Sequence, residues 1–220
     1  MYAHLLLTGF DPFGGSTRNP SIELAQALHG EVVGGLRIVA QQLPCEFANA
    51  PRVLKAALAR WSPVLVLALG QAAGRCELSL ERVAVNLIDA RIADNAGDQP
   101  IDQPVQPGGP AAYFTTLPIK AMAAAARAAG APAALSYSAG SFVCNQVFYA
   151  LQHLLAGHRP AVRSGFMHLP LLPEQACSQP GQPSMSLDTM VRGLRAALVA
   201  ATDGGLAPGE DLKHSEGRTH

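Results

Sequence analysis

The segment Ser138-Ala139-Gly140-Ser141-Phe142-Val143-Cys144-Asn145 is a run of small residues that ends at a cysteine, and the amphipathic stretch Gln146 to Leu155 follows it. That order reads as a strand, a small-residue turn and a helix opening at Cys144. A thiol at a helix N-terminus feels the positive end of the helix dipole, which lowers its pKa and raises the thiolate fraction. Backbone N–H groups of the same turn lack helical acceptors and can point at an oxyanion. One short turn can therefore supply a nucleophile and a cradle for developing negative charge. The same residues also fit a buried, inert cysteine, the commoner fate of a free thiol, so both readings stand on this segment alone.

The remaining cysteines, Cys45, Cys76 and Cys177, lie far apart and form no Cys-x-x-Cys or Cys/His cluster with zinc-like spacing. Structural zinc is not expected. Sixteen basic residues balance sixteen acidic ones, so no long-range field draws in nucleic acid or an anionic membrane surface. The apolar runs are broken by Gly, Pro or charge before the roughly 18 residues that a membrane-spanning helix needs, and the short apolar start, Met1 to Thr8, has neither a basic lead nor a cleavage site. The expectation is a cytoplasmic protein. The Gly14-Gly15 turn belongs to no phosphate-binding fingerprint.

The elements that must position Cys144 follow from the alternation of short apolar runs with longer amphipathic ones, the pattern of strands joined by crossover helices. Strands are predicted near His4–Phe10, Leu36–Leu43, Val64–Gly70, Val83–Ile88, Ala134–Ser138 and Gly165–Leu169. Helices are predicted over Ile22–Leu28, Phe47–Trp61, Ile119–Ala129, Gln146–Leu155 and Leu187–Ala200. Continuous apolar strands such as Val64-Leu65-Val66-Leu67 suit a sheet covered on both faces. The fold expected is a single α/β domain over residues 1–202, with a twisted, mostly parallel sheet between two helical layers, a three-layer sandwich of the phosphorylase or hydrolase kind. The long polar stretch Ile92 to Pro110 is expected to serve as a lid or subunit contact, and 203–220, Gly-rich and charged, as a mobile tail.

Around Cys144 the sequence resembles the nucleophile motif of the pyroglutamyl peptidase I, or pyrrolidone carboxyl peptidase, family of cysteine peptidases. Gly70-Gln71-Ala72-Ala73 through Leu78-Ser79-Leu80-Glu81-Arg82-Val83-Ala84-Val85-Asn86 is similar to that family's glutamate motif, and Gly165-Phe166-Met167-His168-Leu169-Pro170 to its histidine motif. With Gly9-Phe10-Asp11-Pro12-Phe13-Gly14 and Asp94-Asn95-Ala96-Gly97-Asp98-Gln99-Pro100, the matches run from residue 5 to about 170. The resemblance implies Cys144 as nucleophile, His168 as base and Glu81 as the acid orienting the histidine. Such a set is chemically coherent, because a thiol needs a base and the base needs a fixed tautomer. Asp or Asn could orient the imidazole equally well, so Glu at that place rests on the resemblance.

The implied activity is removal of an N-terminal pyroglutamyl residue from peptides through a Cys144 thioester, without metal or cofactor. Pyroglutamate is a flat, uncharged lactam, which calls for apolar walls and a few hydrogen-bonding groups. The resemblance assigns the walls to Phe10, Phe13 and Phe142 and polar contacts to Asn19 and the backbone at Gln71. Asn19 fits the N-cap of the following helix equally well. Arg91 matches an arginine that the family places near the active site, where it either stabilises charge or pairs with an acid. The resemblance also implies a homo-oligomer, often a tetramer. Two other readings accommodate the same architecture: a nucleoside phosphorylase, and a binding module that has lost turnover.

Overall fold

A computed structural model describes residues 2–203 and 210–217. Nine strands and six helices appear among them: β1 (Ala3–Phe10), α1 (Pro20–Ala27), β2 (Val32–Val33), β3 (Leu36–Leu43), α2 (Ala50–Trp61), β4 (Leu65–Gln71), β5 (Leu78–Glu81), β6 (Val83–Val85), β7 (Ala112–Phe114), α3 (Ile119–Ala128), β8 (Ala133–Ser136), α4 (Val143–His158), β9 (Arg163–Leu169), α5 (Pro173–Ala176) and α6 (Leu187–Thr202). Seven strands form the central sheet in the order β2-β3-β1-β4-β9-β5-β8. The run β3-β1-β4-β9 is parallel, β5 lies antiparallel to β9, and β8 runs with β5. The expected α/β sandwich with a mostly parallel sheet is what forms.

Alternation along each strand divides the core in two, because successive side chains leave opposite faces of a sheet. Leu5, Leu7, Leu65, Leu67 and Leu69 pack into an apolar layer with α1, α3 and α6. Leu6, Val66 and Ala68 face the other way, into a layer with α2 and α4. Continuous hydrophobicity in β1 and β4 thus reflects burial on both sides. At the strand ends the helices start where local chemistry allows. Asn19 caps α1 by accepting from Ser21 N–H, with Pro20 at the first turn, and Ser186 caps α6 by accepting from Thr189 N–H.

The expected strand Val83–Ile88 does not join the central sheet. Val83–Val85 pairs instead with β7 in a separate two-stranded ribbon, and the core strand is the preceding β5. Its sequence, Leu78-Ser79-Leu80-Glu81, alternates apolar with polar and reads as half-exposed, yet all four residues are buried. β2, β7 and α5 are too short to leave a periodic signal.

Residues 92–110 fold back on themselves: Ile88 and Gln103 form an antiparallel bridge, Ala90 N–H donates to Pro100 O at 2.9 Å, and Asp94 Oδ1 accepts from the N–H groups of Ala96 and Asp98. Of the expected tail, 204–209 and 218–220 lie outside the described residues. The described part is anchored on α3, where Asp211 accepts from the N–H groups of Lys120 and Ala121 and Glu216 pairs with Arg127 at 2.6 Å. No helix among the described residues is long and apolar enough to cross a membrane.

Close packing of α1 onto β1 depends on Gly9, where an added Cβ would fall 2.4 Å from the backbone nitrogen of Ile22. Backbone cannot swing aside as a side chain can. Gly9→Ala should cost about 2–3 kcal/mol and lower the melting temperature by about 4–12 °C, measurable by circular dichroism.

Candidate active site

The site is assembled where β4, β9 and β5 lie side by side. Register places Gly70 of β4 opposite His168 of β9, and His168 in turn opposite Ser79 of β5. Glu81 ends β5 with none of its surface exposed, and its Oε1 lies 2.7 Å from His168 Nδ1. A carboxylate can only accept, so Nδ1 carries the proton and Nε2 is left as the basic nitrogen. The Phe166 ring, two residues back on the same face of β9, supports the imidazole with ring centroids 4.9 Å apart.

Cys144 is the second residue of α4 and packs onto the same layer. Gly70 makes room for its sulfur: a Cβ there would stand 2.8 Å from Cys144 Sγ and 2.8 Å from Phe166 Cζ. The thiol therefore rests on the bare backbone of Gly70, the register partner of His168. Cys144, His168 and Glu81, expected as a set, are brought together by three different elements.

The turn leading to Cys144 is held from several sides. Gly140 adopts φ 77°, a conformation natural to glycine. Ser141 donates its hydroxyl to Asp89 O at 2.7 Å and accepts at its carbonyl from Asp89 N–H at 3.0 Å. Asn145, fully buried, accepts from Val85 N–H and donates to the carbonyls of Val85 and Leu87. The helix itself starts on Phe142, and no side chain caps it. Its first N–H groups, those of Val143, Cys144 and Asn145, precede the first donor that finds a helical acceptor, Gln146 N–H on Phe142 O.

The electrostatics of the sulfur differ from the sequence expectation. Burial pushes the Cys144 thiol up from its ordinary range, Cys45 and Glu81 add to the rise, and Arg75 opposes it. Desolvation is the largest of these influences, so a base must take the proton. Cys45 is pushed up to about 12, first by burial and then by Asp11, Asp94 and Glu46.

The aromatic residues gather near the nucleophile. Phe13 and Phe142 have centroids 6.4 Å apart, and Phe47, expected to open the second helix but found in the turn before α2, meets Phe142 edge-on at 5.1 Å. Phe10 is only 2% exposed and forms the floor of the apolar layer rather than an open wall. Asn19 spends its side chain on the protein, accepting from Ser21 and donating to Asp11 O. Gln71 ends β4 and accepts at Oε1 from Gln175. Arg91 lies exposed in the loop two residues after Asp89, which bonds Ser141 of the nucleophile turn, and makes no hydrogen bond or ion pair among the described residues.

The sequence reading missed Arg75, whose Nη2 reaches Glu81 Oε1 and Ser138 O, each at 3.2 Å. It lies in the connection from β4 to β5, where nothing local marks its partner. A cavity of about 740 Å³, lined by Arg75, Glu77, Ser136 and Ser138 among others, opens beside it. Among the described residues no group of three or more His, Cys, Asp and Glu converges as a metal site.

The family model described as "Pyroglutamyl peptidase" matches residues 3–204. The chain belongs to the pyroglutamyl peptidase family. Among curated relatives, a pyrrolidone-carboxylate peptidase of Cupriavidus taiwanensis is 55% identical over 98% of this chain and 99% of its own. One of Escherichia fergusonii is 50% identical over the same shares. Among solved structures, pyroglutamyl peptidase I from Bacillus amyloliquefaciens superposes with a TM-score of 0.93 at 44% identity, covering 98% of this chain and all of the other. A mutant pyrrolidone carboxyl peptidase from Pyrococcus furiosus gives 0.88 at 39% identity, over 92% of this chain and all of that one. The segment matched to the pyroglutamyl peptidase family contains Glu81, Cys144 and His168 alike.

The reactive form of a cysteine is the thiolate, and burial of Cys144 favours the thiol. At pH 7 iodoacetamide should label exposed Cys76 and Cys177 as well as Cys144, while Cys45 stays unlabelled in the folded protein. His168→Ala should slow labelling of Cys144 at least about tenfold, the equivalent of one unit in an ionisation. The rate in that variant should climb with pH above the ordinary thiol range, and peptide mapping by mass spectrometry gives each rate separately.

Proposed function

We propose that this chain is a cysteine exopeptidase that hydrolyses the bond after an N-terminal pyroglutamyl residue, with Cys144 as nucleophile, His168 as base and Glu81 orienting the base. The observation that carries this reading is the buried 2.7 Å bond from Glu81 to His168 Nδ1 beside a thiol at the open end of α4. Family membership supplies the substrate class.

The chemistry follows from the geometry. His168 Nε2 takes the thiol proton as Sγ attacks the pyroglutamyl carbonyl, and the uncapped N–H groups at the start of α4 receive the oxyanion. Glu81 holds the imidazolium that forms. As the tetrahedral intermediate collapses, His168 gives its proton to the departing peptide amine and a Cys144 thioester remains. Water, losing a proton to His168, then cleaves the thioester and releases pyroglutamate. No metal or cofactor enters any step.

Phe13 and Phe142, with Phe10 beneath, support a flat apolar slot for the lactam. Backbone at Gln71 is its polar contact, and Asn19 acts indirectly by fixing the turn at Asp11 that carries Phe13. Arg91, in the loop that follows Asp89, serves either to stabilise developing negative charge or to pair with an acid. An open-chain N-terminal residue would bring an ammonium that such a slot desolvates without compensation. The reading includes action in the cytoplasm, where four free thiols are at home. It also includes a homotetramer, and exposed Phe114 and Ile101 offer apolar surface for a subunit contact. Neither nucleic acid nor membrane has a part in it.

Release of a chromogenic amine from a pyroglutamyl amide tests the assignment. Cys144→Ala should abolish turnover while the melting temperature stays near that of the parent, and Glu81→Gln should lose on the order of 10²- to 10⁴-fold in kcat, as triad lesions do. Glutaminyl amides should be poor substrates. Robust hydrolysis by Cys144→Ala would sink the mechanism.

A further inference from the structure

Glu81 presents an electrostatic problem that the triad alone leaves unsolved. It is a carboxylate with no exposed surface, and a buried charge is costly unless it is paired and hydrogen-bonded. His168 in its neutral form supplies one hydrogen bond and no charge. The second oxygen, Oε2, is buried with no hydrogen-bond partner among the described residues. The cation that does reach Glu81 is Arg75, whose Nη2 shares Oε1 with His168. The same Nη2 donates to Ser138 O, at the start of the turn that delivers Cys144. One guanidinium therefore ties the acid on β5 to the nucleophile's turn, bridging two elements that do not otherwise exchange side-chain bonds at this point.

We infer that Arg75 is a positioning residue of this active site, one that pairs with Glu81 and keeps it aimed at His168 while pinning the Ser138 turn. The inference rests on the triad reading above and extends it to a fourth side chain. Arg suits the place because its planar, permanently charged fork can serve two acceptors at fixed angles, which a lysine ammonium does less well. The electrostatic pull of Arg75 on the Cys144 thiol, opposite to that of burial, acts in the same direction.

Among the described residues, the charged and titratable groups at the cluster are Glu81 on β5, His168 on β9, Arg75 in the connection before β5, Cys144 on α4 and Cys45, which acts electrostatically on the sulfur, with Glu77 lining the cavity beside Arg75. With Arg75 present, protonating His168 takes the Arg75–Glu81–His168 group from neutral to a net positive charge. Without it, the same proton neutralises a lone carboxylate. Removal of Arg75 therefore takes away a positive charge that opposes the imidazolium across Glu81. Because the base must be neutral to act, the acid limb of kcat/KM moves to higher pH.

The test compares wild type, Arg75→Met and Arg75→Lys on a pyroglutamyl amide across pH, with thermal melts and iodoacetamide rates at Cys144 on the same preparations. Arg75→Met should lose about 10- to 100-fold in kcat/KM, the loss common for partners that orient a functional histidine, mostly in kcat, and its acid limb should rise by about one pH unit, as for loss of a neighbouring charge. Alkylation of Cys144 should follow the same displaced limb. Arg75→Lys keeps the charge and should hold the limb near its wild-type position while recovering part of the rate. An Arg75→Met enzyme within about threefold of wild type, with an unmoved limb, would overturn the inference. So would a lower melting temperature with both limbs in place, which marks a merely structural residue, or an Arg75→Lys limb displaced as far as that of Arg75→Met. Should Arg75→Met fail to fold, Arg75→Lys alone decides by the position of its limb. Wild type that alkylates with a limb sensitive to Arg75 but releases no amine would refute the proposed substrate and leave the role of Arg75 standing.

Discussion

A carboxylate withdrawn completely from water must be held in place by its neighbours, and Glu81 is held through a single oxygen by an imidazole and a guanidinium. Much else in the architecture serves that contact. β5 runs against the direction of β9, so the chain leaves the sheet at Glu81, beside Phe166 and within reach of His168. Arg82 N–H then bonds to Ser136 O and its carbonyl accepts from Thr115 N–H, turning the chain into the β6–β7 ribbon. That ribbon returns to α4 through Asn145, which grips Val85 and Leu87. The segment bearing the acid and the helix bearing the nucleophile are thus two ends of one hydrogen-bonded construction.

The helix end complements it by what it leaves unpaired. Asn19 and Ser186 cap α1 and α6, whereas α2, α3 and α4 have no side-chain cap. α4 starts on a phenylalanine, whose side chain can accept nothing. Stability forgone at a terminus becomes donor capacity at a reaction centre, and the lost rigidity is replaced by Asn145 and by Ser141 bonding to Asp89. A sulfur resting on Gly70 completes the arrangement, since only the absence of a Cβ lets α4 approach the strand so closely.

How far the amino-acid order foretold this depends on the range of each interaction. β1 and β4 are long and apolar on both faces, β3 carries the apolar run Ile38-Val39-Ala40 between polar residues, and α3 and α6 have clear periodicity, so they were legible nearly to the residue. β5 was not, because Ser79 and Glu81 give it the alternation of a half-exposed strand, and only packing by distant elements buries both. Cys144 stood out from its turn, while His168 and Glu81 were recognisable through the likeness of whole motifs to a known family. Phe47 and Asn145 act across connections of many residues, and Arg75 links the nearby Glu81 to the distant Ser138, a pairing of which local pattern carries no trace. The burial that pushes the Cys144 thiol up was not legible, because a helix end is visible in sequence and desolvation is not.

The division of the core into two apolar layers has a consequence for how the protein can change. His168, Phe166, Cys144 and the aromatic residues around them all belong to the α2/α4 side of the sheet, whereas Met167, Leu169 and their neighbours face α1, α3 and α6. Substitutions on opposite sides share few atoms, and energetic effects at sites without common partners add. The far layer is accordingly a reservoir of evolutionary freedom, in which a lineage can raise or lower its heat tolerance by repacking leucines, methionines and alanines while the chemistry on the near side is inherited unaltered.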